Sequence, residues 1–196
     1  MTSDRKFEGP GIIEKLLEGR ITQRKKEQKM TLEEAIRTAI DYEIQACNVY
    51  KQAAESVSDP IGNRILKALA EDERLHVKYL TERLDQWKQT GKITVEKLKS
   101  VIPSRETILR EVNRMKDRMA VADRGGEIQI LSEALKMEID ASNFYRKLVE
   151  EMSDEAQQMF ANFLEIEDRH VSAVQAELDY FTKSGYWFDF KEFDME

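Results

Sequence analysis

The sequence predicts an all-α protein, an antiparallel four-helix bundle made of two repeated helical hairpins, and three observations carry that expectation. The first is composition. At 196 residues the chain can bury one sizeable core but is short for two, and 8 Gly and 3 Pro leave little for turns. With 41% hydrophobic and 35% charged residues it has the balance of long amphipathic helices. The second is an internal repeat: Ala39 to Tyr50 returns as Ala134 to Tyr145 with six of twelve positions identical. At the same offset of 95, Ser58-Asp59 returns as Ser153-Asp154; at an offset of 94, Glu73, His76, Leu84 and Gly91 return as Glu167, His170, Leu178 and Gly185. The third is apolar spacing, which is helical in all four segments.

The first helix is expected near 31–57. Thr31 and Glu34 have the spacing of a capping box, and Ile36, Ile40, Cys47, Tyr50, Ala54 and Val57 recur at helical intervals. The second is expected near 60–90, opened by Asp59 as N-cap with Pro60 at the first helical position and closed by Gly91. Its core face is Ile65, Leu69, Leu80, Leu84 and Trp87. Lys92 to Gly125 is too long for a simple turn, and Val95 to Val101 and Thr107 to Met119 carry helical patterns of their own. A long helical crossover between helices 2 and 3 is expected, as in bundles where those helices run parallel. The third helix, near 126–152, buries Leu131, Leu135, Ala141, Tyr145, Leu148 and Met152. The fourth, near 154–184, buries Met159, Phe163, Ile166, Val174, Leu178 and Phe181, and Gly185 ends it. The bundle therefore occupies 31–185, between a charged N-terminal extension (1–30) and an aromatic C-terminal tail (186–196) expected to pack over the bundle end or onto a neighbouring subunit.

A net charge of −7 disfavours nucleic acid as a partner, and the run Arg20, Arg24, Lys25, Lys26 and Lys29 reads as a solvated helix face. Cys47 is the only cysteine, which excludes an internal disulfide and a four-thiolate metal site and suits a reducing cytoplasm; as a side chain it reads as a small buried apolar group. No apolar run approaches the roughly 20 residues of a membrane span, so a cytoplasmic protein without a membrane partner is expected.

The apolar stripes are interrupted at Glu43, at Glu73 and His76, at Glu138, and at Glu167 and His170. A lone buried carboxylate costs several kcal/mol and tends to protonate, so four together require a positive charge among them. Their levels agree. Glu43 lies fifteen residues before Ser58 and Glu73 fifteen after it, while Glu138 lies fifteen before Ser153 and Glu167 fourteen after, so folding each hairpin brings its carboxylates level. Glu and His three apart project from one helix face. Four carboxylates and two imidazoles form an oxygen and nitrogen shell whose charge offsets two divalent ions, a set that suits iron or manganese.

At these residues the sequence resembles the ferritin-like superfamily, and in particular the rubrerythrin-like di-iron proteins: a Glu from each of two helices (Glu43, Glu138) and Glu-x-x-His from each of the others (Glu73 with His76, Glu167 with His170). The resemblance covers about residues 31–185. It implies two iron ions, with manganese or a mixed iron and manganese pair as alternatives. It also implies reduction of hydrogen peroxide or O2 with electrons from an external donor, and a homo-oligomer, dimer or larger. Full-length rubrerythrins carry a four-cysteine rubredoxin domain; those cysteines are absent here, so a separate rubredoxin-type protein is the expected donor. Leu135 and Ala141 stand where rubrerythrins tend to place an extra carboxylate, and the symmetric six-ligand set resembles bacterioferritins equally. Ferroxidase action feeding iron storage or detoxification is therefore one alternative, and a metal-stabilised structural or partner-binding bundle another. Tyr50 and Tyr145, seven residues after Glu43 and Glu138, are candidates to donate a hydrogen bond to a ligand or pass an electron, or simply to pack. Asp72 and Asp168 are candidates to orient a ligand His.

Overall fold

The computed structural model describes residues 29–104, 106–108, 110, 125–184 and 187. The chain divides into two units at Thr31. All four long helices lie in the second: α1 (Leu32–Ser56), α2 (Pro60–Thr90), α3 (Gly125–Glu151) and α4 (Asp154–Ser184). The described residues contain no strand, so the fold is an all-helical, ferritin-like bundle. Each helix boundary falls within a residue of the one expected from sequence.

Local chemistry sets the ends. Asp59 Oδ1 accepts from the backbone N–H of Ile61 (2.8 Å) and Gly62 (3.2 Å), satisfying two of the donors that open α2. Gly91, at φ 67, closes it with its N–H on the Trp87 carbonyl at 2.8 Å, in a left-handed conformation that glycine adopts without steric cost. The two Ser-Asp turns differ despite their sequence match. Pro60 forces Asp59 into an extended conformation, whereas Asp154, followed by Glu155, sits at φ 53 and starts α4 itself. The α1–α2 turn thus spends three residues and the α3–α4 turn two, which is why the repeat offset drops from 95 to 94.

Helices α1 and α2 pack along one another, as do α3 and α4. The hairpins face each other antiparallel: Tyr50 meets Glu138 while Tyr145 meets Glu43, and Asp72 meets His170 while His76 meets Glu167. With α1 antiparallel to α3 and to α2, the second and third helices run parallel, as the long connection requires. The core draws Tyr50 and Ala54 from α1, Ile65 and Leu69 from α2, Leu131 and Ala134 from α3, and Val174 and Phe181 from α4.

The crossover departs from expectation. Val95 to Val101, whose spacing predicts a short helix, is not helical. It runs back along α2 in an extended path, with Thr94 N–H on Gln86 Oε1 (2.9 Å), Arg83 on the Thr94 carbonyl (3.0 Å) and Val101 N–H on Asp72 Oδ1 (2.9 Å). Fourteen helical residues separate Gln86 from Asp72, about 21 Å, and the seven peptide units from Thr94 to Val101 reach that far only when nearly straight, at about 23 Å. A helix there would be only about half long enough. Ile102 and Ile108 then enter the core. Residues 106–108 and 110 are helical; the rest of Thr107 to Met119 lies outside the described residues, as do Gly185, the extension up to residue 28, and the tail apart from Trp187. Trp187 is buried against Phe181, ring centroids 5.6 Å apart, and against Gly62, where an added Cβ would lie 2.3 Å from the indole.

Candidate metal centre

Glu43, Glu73, His76, Glu138, Glu167 and His170, one or two from each helix, meet midway along the bundle, and none is more than 2% exposed. His76 Nδ1 lies 2.9 Å from Glu73 Oε2, 3.1 Å from Glu43 Oε2 and 3.8 Å from Glu167 Oε1. His170 Nδ1 lies 2.9 Å from Glu73 Oε1 and 3.8 Å from Glu138 Oε2. The two rings are nearly parallel, with centroids 5.6 Å apart. Two donor groups result, each with its atoms within 4.8 Å of one another: Glu43, Glu73, His76 and Glu167 in one, Glu73, Glu138 and His170 in the other. Glu73 belongs to both.

The donor set fits a pair of divalent cations. Glu73 Oε1, Glu167 Oε1 and His170 Nδ1 are buried and make no well-formed hydrogen bond, although Glu73 Oε1 and His170 Nδ1 lie 2.9 Å apart, and an unsatisfied buried group costs about 1–3 kcal/mol. All three belong to the donor groups, where a cation would satisfy them together. Proton affinities describe the same demand. Burial, joined by repulsion from Glu73, lifts the Glu43 and Glu138 carboxyls to about 7. Burial and the charges of Glu43, Glu73 and Glu138 push Glu167 up as well. Burial opposes ionisation of Glu73 too, but His170 and His76 outweigh it and hold that carboxyl low. For His76 burial favours the neutral ring, yet hydrogen bonds with Glu43 and Glu73 raise it to about 10. Protons hold together what metal charge would hold better.

The tyrosines reach across the bundle. Tyr50 donates to Glu138 Oε1 and Tyr145 to Glu43 Oε1, so each hairpin steadies a carboxylate of the other. Burial, then the neighbouring carboxylates, push both phenols up, so they remain donors. Phe163 stacks on Tyr145 (5.1 Å) and meets His76 edge-on (5.3 Å), walling that side with carbon.

Of the two aspartates, Asp72 meets the expectation, with Oδ2 3.0 Å from His170 Nε2. Burial resists its ionisation, but the hydrogen bond and charge of His170 prevail and hold its carboxyl low. Asp168 does not reach a His: half-exposed, it accepts from Ser142 (2.7 Å) and lies 3.4 Å from Arg146. Sequence reasoning missed the grip on Asp72 by Ser100 Oγ (2.5 Å) and Val101 N–H, since no periodicity carries it. Cys47 is buried, its thiol donating to the Ala70 carbonyl at 3.4 Å.

No helix among the described residues is long and apolar enough to cross a membrane. Comparison with curated proteins and with solved structures returns no significant match. The family pattern of rubrerythrin matches residues 34–178, a span that holds all six clustered donors and both tyrosines. That match covers well over half of the 196 residues, and the chain belongs to the rubrerythrin family.

Proposed function

We propose that the six residues ligate two iron ions and that the protein reduces hydrogen peroxide or O2 with electrons from an external donor, in defence against oxidative stress. The observation that carries this reading is Glu73, one carboxylate common to both donor groups, which would hold two cations side by side where they could act on a single O–O bond. Bound there, a ferrous pair supplies two electrons and Lewis acidity. The chain does the rest. Glu43 and Glu138 are aimed by Tyr145 and Tyr50, His170 is aimed by Asp72, and Phe163 keeps water from the His76 side. Conversion of hydrogen peroxide to two waters consumes two electrons and two protons. A rubredoxin-type protein suits the role of donor, because the single cysteine of this sequence cannot form a four-thiolate iron site. The cytoplasm, where such donors work, is the proposed location.

A second reading is ferroxidase action feeding iron storage, favoured by the residues beside Glu138. Leu135 and Ala141, half-buried and buried, carry no carboxylate, so the donor set stays at four glutamates and two histidines, as in the bacterioferritins it resembles. Native mass separates the two: a dimer or small oligomer fits the reductase, a 24-subunit shell fits storage.

The test is anaerobic loading with ferrous iron followed by separate additions of peroxide and O2, monitored by absorption. Rapid oxidation by peroxide at two irons per chain, reversed by a reductant, is expected. Oxidation chiefly by O2 with continued iron uptake would move the assignment to storage, and inert metal would leave a structural role.

A further inference from the structure

The repeat that makes the two halves alike does not hold at every position beside the metal centre, and the break at Asp72 places a charge on one side only. The offset of 94 that carries Glu73 to Glu167 and His76 to His170 carries Asp72 to Ile166. Asp72 is fully buried, held by Ser100 Oγ and the Val101 N–H, and its Oδ2 sits 3.0 Å from His170 Nε2. His76 has no such partner: its Nε2 is buried without a hydrogen bond, and its ring packs T-shaped against Phe163 at 5.3 Å.

We infer that the two metal positions are unequal, and that the one formed by Glu138 and His170 binds a divalent cation more tightly than the one formed by Glu43 and His76, with Asp72 as the positioning residue. This rests on the two-metal reading above. A carboxylate on the far ring nitrogen fixes the tautomer that leaves Nδ1 free to ligate, fixes the ring plane and strengthens the ligand; loss of such a partner typically costs about 10–100-fold in metal affinity. Glu167 lies nearer His76 and adds a donor on that side. A carboxylate turns about its last bonds and serves either ion, however, whereas the tautomer of a buried ring is set by its far partner.

Cobalt(II) titration of the full-length, metal-free protein, followed by visible absorption and calorimetry, tests this without reference to turnover. The wild type is expected to take two equivalents in two steps whose Kd values differ by about ten-fold or more. Asp72→Asn should weaken the position built on His170 by about 10–100-fold, so that the two steps converge toward the affinity of the wild type's second step. Ser100→Ala, which keeps Asp72 but removes one of its anchors, should shift the first step the same way by less. Two indistinguishable steps in the wild type, or an Asp72→Asn variant that weakens both alike, would overturn the inequality. Uptake of fewer than two equivalents would bring down the two-metal reading and this inference with it.

Discussion

Tyr50, in the first hairpin, donates its phenolic hydrogen to Glu138, in the second. The bond joins two helices that are not neighbours in sequence, and its mirror image runs from Tyr145 to Glu43. The carboxylates at the centre are thus oriented from the opposite half of the bundle, and the halves are tied at the level where the donors meet.

Tyr50→Phe removes the donor and leaves a buried carboxylate oxygen unpaired. Such a loss costs about 1–3 kcal/mol. Equilibrium urea unfolding of the metal-free protein should show a lower midpoint with unchanged slope, and Tyr145→Phe should do the same. An unshifted midpoint would mean that the bond contributes nothing net.

Glu73 is the one residue common to both donor groups, and Glu43 belongs to one. Glu73→Ala is therefore expected to lower bound metal at both positions and abolish metal-dependent turnover, whereas Glu43→Ala spares the position built on His170. Metal analysis after gel filtration distinguishes them; equal losses in the two variants would contradict the sharing.

The pH dependence has a definite sign. His76 is raised from 6.5 to about 10, so its contribution to stability is whole below about pH 6.5 and disappears as pH rises through 10. Glu43 and Glu138 are raised from 4.5 to about 7, so theirs is whole below 4.5 and gone once pH passes 7. Both shifts favour the protonated bundle. The Tm of metal-free protein should fall between about pH 6 and pH 9, while a divalent ion, which needs the same groups unprotonated, binds with proton release and gains affinity over that interval. Scanning calorimetry with and without manganese checks both; a metal-free Tm that rises with pH would refute the protonation scheme.

Gly62→Ala puts a Cβ 2.3 Å from the Trp187 indole, a clash that only movement of the ring relieves. Overpacking of this kind costs about 1–3 kcal/mol. Near-ultraviolet circular dichroism and a red shift of tryptophan emission should report release of Trp187; unchanged spectra would show that the tail is not seated on α2.

Much of this was legible in the sequence, because helical period and hairpin register are properties of spacing. The helix bounds, the buried faces and the convergence of the six donors all follow from where charged residues interrupt apolar stripes. The crossover was not legible, because Val95 to Val101 has helical spacing and only the distance it must cover forbids a helix. Nor could spacing separate Asp72 from Asp168: each stands next to a ligand-position Glu, Asp72 before Glu73 and Asp168 after Glu167, and the side of the helix each faces decides that the first meets His170 and the second meets Ser142 and Arg146. The iron, the oxidant and the donor are not written in periodicity at all.

The straight path from Thr94 to Val101 reverses the usual rule about where a protein tolerates insertions and deletions. Connections are ordinarily the forgiving segments, but this one has about 2 Å to spare. Removing a single residue from it would pull Val101 and Ser100 off Asp72 or drag Thr94 from Gln86. Lengthening all four helices by a turn would leave the strap short by about 3 Å unless residues were added to it as well. The height of the bundle and the length of its crossover can change only together, so natural variants of this chain should show compensating changes in the two.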